Sequence, residues 1–320
     1  MRRETLRLTL DCDNSCAFCA QKGIAAGGEA LSPLKQLTQL RARADEITFV
    51  GGEPTLATDL AEAIAQAKGL GFKGIGIQTN GRRLAEPGYA ATLAKAGLTD
   101  VHLSWHGPEP AVHDYHVNKP GAYSSLLAGA AASRSAGLTI AVTSVLTRSN
   151  YRVLAAMPRL LKAAGATAWL ITIPRTAGAL EAGFDRVMPR LGIALPFALH
   201  ALQQAQHVGL LAWIQGAPAC TLGPYAANVF PDAPRAYAPV CQTCPSKPHC
   251  PGLDEVYLRR FGGDELSAKE TPLPKGFPAI ARLFVGVGEL GHPPLVPAVK
   301  IEGAAAEIEP APVLTPLGKR

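Results

Sequence analysis

Cys12, Cys16 and Cys19 fall in one short loop, spaced C-x3-C-x2-C, directly after the apolar-alternating run from Leu6 to Leu10. Three thiolates that close can wrap one corner of an iron–sulfur cube, whose usual ligands are cysteines. Three ligands for four irons leave one iron open, and an open metal position is where chemistry happens. A zinc loop, or three unrelated buried cysteines, is the alternative; the spacing does not match paired zinc knuckles. Four further cysteines, Cys220, Cys241, Cys244 and Cys250, lie far downstream, the last three spaced C-x2-C-x5-C. Seven cysteines, an odd count, argue against a disulfide framework and divide naturally into an open site of three and a closed site of four. Four cysteines can close on zinc or on a second cluster.

The elements that must position these loops alternate between strand and helix. Strands are expected at Thr5–Asp11, Ile47–Val50, Gly74–Thr79, Val101–Trp105, Leu138–Leu146 and Ala168–Ile173. Helices are expected at Pro33–Arg43 (Ser32 as N-cap), Ala57–Gly69, Pro87–Ala96, Tyr123–Ala136, Tyr151–Ala164 and Leu195–Val208. Such alternation predicts an α/β fold with a parallel sheet covered by helices, either a partial (β/α)6 barrel or a flat doubly wound sheet. Polar loops follow five of the expected strand ends: Cys12–Cys19, Gly51–Pro54, Thr79–Asn80, Ser104–Gly107 and Arg148–Asn150. In a barrel that rim is where a site is built.

His102, His106, His113 and His116 gather around Trp105. Pro108, Glu109 and Pro110 break this segment, which favours a loop shaping a substrate pocket over a metal site. His106 is the candidate for touching substrate or moving a proton. Strand alternation is expected to turn His102 away into a structural role.

The three cysteines with Phe18 before the last of them, followed by Gly51-Gly52-Glu53-Pro54, resemble the radical S-adenosylmethionine (radical SAM) superfamily over residues 5 to 175. The resemblance implies the barrel, a TIM-type partial (β/α)6 fold, rather than the flat sheet. It implies a catalytic [4Fe-4S] cluster on Cys12, Cys16 and Cys19, with S-adenosylmethionine on the open iron. Reductive cleavage to a 5′-deoxyadenosyl radical and hydrogen abstraction from a peptide or small-molecule substrate would follow, with an electron donor such as flavodoxin or ferredoxin. The cofactors carry that chemistry and the protein supplies position and electrostatics. Phe18, Gly51, Gly52 and Glu53 are the implied cofactor contacts, Glu53 orienting the amino group. Asn80 and Ser104 correspond by position to residues near the carboxylate and ribose. The expected fifth strand, Val142-Thr143-Ser144-Val145, lacks the family's glycine, so no residue is assigned to the adenine.

Residues 241–252, with Tyr257 and Gly262, resemble the SPASM and twitch modules appended to such barrels. That implies an auxiliary [4Fe-4S] cluster on Cys220, Cys241, Cys244 and Cys250. The domain expectation is a barrel over 1–215, a small iron–sulfur module over 216–266 and a proline-rich extended tail over 267–320. Two other activities remain on the same residues: a non-redox 3-amino-3-carboxypropyl transfer, and a non-catalytic iron–sulfur carrier or sensor.

Composition supports a folded enzyme. Hydrophobic residues make up 48% and charged residues 18% of the 320, enough for a core and too ordered a mix for general disorder. The net charge of +6 suits an acidic substrate or an acidic donor protein. No dense basic run with interleaved aromatics points to nucleic acid. The N-terminus lacks a signal-peptide apolar region and no stretch reads as a membrane span, so a cytoplasmic protein is expected.

Overall fold

Eight parallel strands form one sheet in the order β1 to β8: Arg3–Thr9, Glu46–Gly51, Gly74–Thr79, Asp100–Ser104, Thr139–Val145, Ala166–Thr172, Leu211–Gln215 and Val229–Phe230. The computed structural model describes residues 2–23, 33–233, 235–270 and 278–284. β1 and β8 are the two edges, so the curved sheet is an open barrel, a partial TIM-type fold. Helices α1 (Pro33–Arg41), α2 (Leu60–Gly69), α3 (Tyr89–Ala96), α4 (Pro110–Val117), α5 (Ala122–Ser135), α6 (Met157–Ala163), α7 (Ala179–Val187) and α8 (Leu191–His207) fill the connections through β7. The last helix, α9 (Glu255–Phe261), follows β8.

Side chains alternate across each strand, and the parallel register keeps one parity on one face through all eight. The outward parity is apolar: Ile47, Phe49, Ile77, Leu103, Val142 and Ile171 pack beneath the helices in the main core. The inward parity is mixed. At the lower end of the lumen Arg3 reaches Glu46 (3.0 Å), Thr48 (2.8 Å) and both oxygens of Asp100 (2.8 and 2.7 Å). Glycine at 76 makes this possible, because a Cβ there would collide with Asp100 and Arg3. Beside that network Ala141, Leu170, Trp213 and Phe230 form a second, smaller core around Phe284.

The structure differs from the expected layout in four places. The sheet has two more strands than the six expected. β7 is the apolar run Leu-Ala-Trp-Ile between Gly209 and Gly216, and β8 is only two residues long. Pro108 and Pro110 do not keep the histidine segment in a loop: Pro110 opens α4, where its missing N–H costs nothing. His102 is not turned away from the lumen. It shares the inward parity with Ser104 and Asp100, one layer below the site, with its Nε2 on the Thr143 hydroxyl and its ring 5.0 Å from Phe284. Within the segment expected to be an extended tail, Ala279–Phe284 form a 3-10 turn that enters the barrel bottom, with Arg282 on Glu46 at 2.8 Å. Ser32 and prolines 272, 274, 293, 294 and 297 lie outside the described residues.

Candidate active site

The C-terminal ends of the strands open into one cavity. Cys12, Cys16, Phe18, Cys19, Gly51, Gly52, Glu53, Asn80, Ser104 and His106 all line it. Loops far apart in sequence thus meet on one rim, as the strand-end rule requires.

The cysteine loop is clamped from four sides. The Glu53 N–H donates to the Asp11 carbonyl (2.6 Å) and the Gly52 N–H to Thr9 (2.9 Å). Gly52 is needed because a Cβ would strike the Leu10 and Asp11 carbonyls. Asn80 Nδ2 donates to Asp13 (2.6 Å), and Arg82 pairs with the same carboxylate. The Ser15 N–H donates to Val117, the last residue of α4, and the Ala179 N–H at the start of α7 donates to Cys19, each at 2.9 Å. Burial, then the neighbouring Cys19 and Cys12, push the Cys16 thiol well above its usual range. Burial likewise raises the Cys12 thiol, and a bound metal cluster removes the cost of ionising these two by taking thiolates as ligands. The donor set fits such a cluster.

Glu53 is buried, and its carboxylate is spent on the loops around it. One oxygen accepts from the Thr55 N–H (3.0 Å) and from the Thr55 and Thr79 hydroxyls (2.6 Å each). The other accepts from the Asn80 N–H at 2.7 Å. Burial raises its pKa, and these hydrogen bonds pull it back toward the charged form. Asn80 is likewise used at both ends, its Oδ1 accepting from the Arg82 N–H at 2.9 Å. Both side chains lock the β2 and β3 loops to the cysteine loop. Ser104 stands on the wall beside Thr143, and Val145 lines the same wall one layer up.

The histidines build the support under Phe18. Its ring meets His106 edge-on at 4.8 Å, and His106 stacks on His113 and His116 at 5.8 and 6.2 Å. His106 Nδ1 accepts from the Val145 N–H (3.2 Å), which leaves the proton on Nε2. Burial, reinforced by His113 and His116, holds His106 far below its ordinary pKa. It is therefore a neutral hydrogen-bond donor at the cavity wall, with its basic nitrogen already occupied. Asn150, fully buried, fixes this corner by donating to the carbonyls of His106 (2.9 Å) and Val145 (2.8 Å).

Cys220, Cys241, Cys244 and Cys250 line a second, smaller pocket with Tyr237, Ser267 and Lys269. The Lys269 N–H points at Cys244 Sγ (3.4 Å), and the Tyr237 hydroxyl donates to the Cys250 carbonyl (2.8 Å). Four cysteines on one pocket are the donor type that a metal cluster takes, so this set also fits one. Among the described residues no three or more His, Cys, Asp or Glu side chains are grouped so as to hold a single metal ion. The segment is tied to the barrel by Asp254, which accepts from Thr176 (2.9 and 2.7 Å) while capping α9, and by the Tyr257 hydroxyl, which accepts from the Leu191 N–H (2.7 Å).

Among the cavity residues that the sequence reading did not single out are two arginines. Arg175 follows β6 and was within reach of the strand-end rule. Arg235 comes from the segment after β8, where no periodicity or motif marks it.

The three-cysteine loop therefore sits on the rim of an open parallel α/β barrel. Residues 6–152 match the family model of the Radical SAM superfamily. That superfamily implies a [4Fe-4S] cluster and S-adenosylmethionine. A probable GTP 3′,8-cyclase of Methanopyrus kandleri is 31% identical over 159 residues, 48% of this chain and 50% of that protein. An AdoMet-dependent heme synthase of Nitratidesulfovibrio vulgaris is 31% identical over 136 residues, 41% of this chain and 36% of that protein. The chain thus spans half or less of these curated relatives. Streptococcus suis SuiB bound to S-adenosylmethionine shares the fold with a TM-score of 0.57 at 16% identity, covering 69% of this chain and 52% of SuiB. Among the described residues no helix is long and apolar enough to cross a membrane.

Proposed function

We propose that this protein is a radical SAM enzyme that uses a 5′-deoxyadenosyl radical to abstract hydrogen from a peptide or small-molecule substrate. The observation that carries the reading is the convergence of Cys12, Cys16, Cys19 and the Gly51–Pro54 loop on one cavity wall. When bound, the cluster and S-adenosylmethionine supply one-electron reductive cleavage of the sulfonium. Cys12, Cys16 and Cys19 would hold three corners of the cube and leave the fourth to the cofactor. The Gly51-Gly52 backbone would face the amino group, with Glu53 fixing the loop from behind. Asn80 and Ser104 would stand near the carboxylate and ribose, and Phe18 would pack against the cofactor from its histidine support. His106 would donate from Nε2 without taking a proton. Cys220, Cys241, Cys244 and Cys250 would hold an auxiliary cluster, a route for an electron leaving the substrate radical or a pin for the last module. A flavodoxin- or ferredoxin-type donor would supply the reducing electron.

The test is Cys16→Ala, reconstituted anaerobically and assayed with dithionite. Production of 5′-deoxyadenosine should fall to background, since two thiolates do not retain an open cube. Wild-type production in the variant would overturn the ligand assignment. Methylthioadenosine as the wild-type product would favour 3-amino-3-carboxypropyl transfer, and absence of any S-adenosylmethionine binding would favour a carrier or sensor.

A further inference from the structure

Across the cavity from the β1–β4 loops, two arginines share one carboxylate. Arg175 pairs with Asp232 Oδ1, and Arg235 Nη2 donates to Asp232 Oδ2 at 2.6 Å. The Asp232 side chain is 1% exposed and that of Arg235 9%. Asp232 has nothing left to give: Oδ1 also accepts from the Ala233 N–H at 2.9 Å. Arg235 Nε and Nη1, and Arg175 Nε, are buried without a hydrogen-bond partner. Leaving charged donors buried and unmatched is expensive, and a guanidinium fork is shaped to grip a carboxylate or phosphate with two parallel bonds. The other carboxylate near Arg235, Asp254, is occupied by Thr176 and the α9 N–H groups.

The placement is built into the fold. Gly216, at the end of β7 with φ +81, leaves the space that the Arg235 guanidinium fills; a Cβ there would stand 2.9 Å from Nη2. The Arg235 N–H is held by the Pro251 carbonyl at 2.9 Å, so the cysteine-bearing segment itself delivers this side chain to the barrel cavity. Arg175 sits four residues before Ala179, whose N–H holds the Cys19 carbonyl. The arginine pair therefore closes the same cavity that the three-cysteine loop opens.

We propose that Arg235, with Arg175, is a substrate-binding site for an oxyanion, so that the substrate of this enzyme carries a carboxylate or phosphate group which the pair orients. The inference rests on the radical SAM reading for the identity of the cavity. Arg235 is the specificity-determining contact, Arg175 the outer partner, and Asp232 the brace that keeps the two cations apart.

The experiment uses reconstituted protein already loaded with S-adenosylmethionine, so that the cofactor carboxylate is in place. Inorganic phosphate and succinate are titrated calorimetrically at ionic strength held constant with chloride. One or both should bind above the chloride background, and the tighter of the two identifies the anion type. Arg235→Gln should weaken that binding by about tenfold or more, the loss of a charge-assisted pair, while S-adenosylmethionine affinity changes by less than about twofold. If circular dichroism shows Arg235→Gln unfolded, Arg175→Gln takes its place with the same readout. No binding by either probe, binding that survives the substitution, or an equal loss of S-adenosylmethionine affinity would overturn the proposal. Formation of 5′-deoxyadenosine by the wild type is measured in parallel, so failure of the radical reading and failure of the anion site register separately.

Discussion

His102 should make the barrel sensitive to mild acid, by an amount that the structure sets. Its side chain is buried between the Thr143 hydroxyl and the Phe284 ring, and Nδ1 has no partner. Burial, with Arg3 nearby, depresses its pKa to about 3, although Asp100 pulls the other way. Among the described residues, Glu46 and Arg282 at this end are paired with each other. In the unfolded chain the same imidazole titrates near 6.5. A base whose folded pKa is depressed contributes stability that is fully present above its unfolded pKa and lost as pH falls toward the folded one. The window therefore runs from about pH 6.5 down to about pH 3. At pH 5.0 the unfolded state has gained about 2 kcal/mol from this one residue. Urea midpoints at pH 7.5 and pH 5.0 for wild type and His102→Gln would measure it. Glutamine keeps a partner for Thr143 but cannot titrate, so the variant should lose about 2 kcal/mol less than wild type across that interval. The comparison cancels any acid lability of bound clusters, which both proteins share. Parallel pH dependences in the two proteins would refute the reasoning.

Reconstitution should load about eight irons per chain, the content of two four-iron clusters, and Cys244→Ala should lower this to about four while 5′-deoxyadenosine formation persists uncoupled from substrate. Iron, sulfide and zinc analysis checks it, and one equivalent of zinc with half the iron would mark the second site as a zinc site. Phe284→Ala should destabilise the fold by about 3–5 kcal/mol, the cost of emptying a buried aromatic site, because Phe284 is fully buried against His102, Trp213 and Phe230. A change below about 1 kcal/mol in chemical denaturation would show that the lumen collapses around the gap.

The strands up to β6 were legible because each is a short apolar or alternating run, and residues of four of the five polar loops line one cavity. Gly74–Thr79 carries its own end signals, Gly before and Asn-Gly after, and its bounds are those the sequence suggests. β8 was not legible, since two residues carry no period. α4 was hidden by reading Pro110 as a breaker when its place at the first helical position makes it a starter. In the candidate site, residue types and spacing pointed to the cysteines and the Gly51–Pro54 loop. The bracing work of Glu53, Asn80 and Asn150 was invisible because it depends on which loops become neighbours. Arg235 was invisible for the same reason, as its position in the cavity follows from the return of the chain after β8.

The contact between Arg282 and Glu46 joins residues 236 apart in the chain. At about 5–20 residues per second of synthesis, the early strands would wait on the order of 10–50 s for the turn that fills their lumen. Until then Glu46 has only Arg3, and the space for Phe284 is open to water or to a wrong apolar side chain. A ribosome-bound chain ending before residue 278 should therefore hold its strands in a looser, chaperone-accessible form. Arrival of Ala279–Phe284 would act as the timing step that commits the barrel to its final shape.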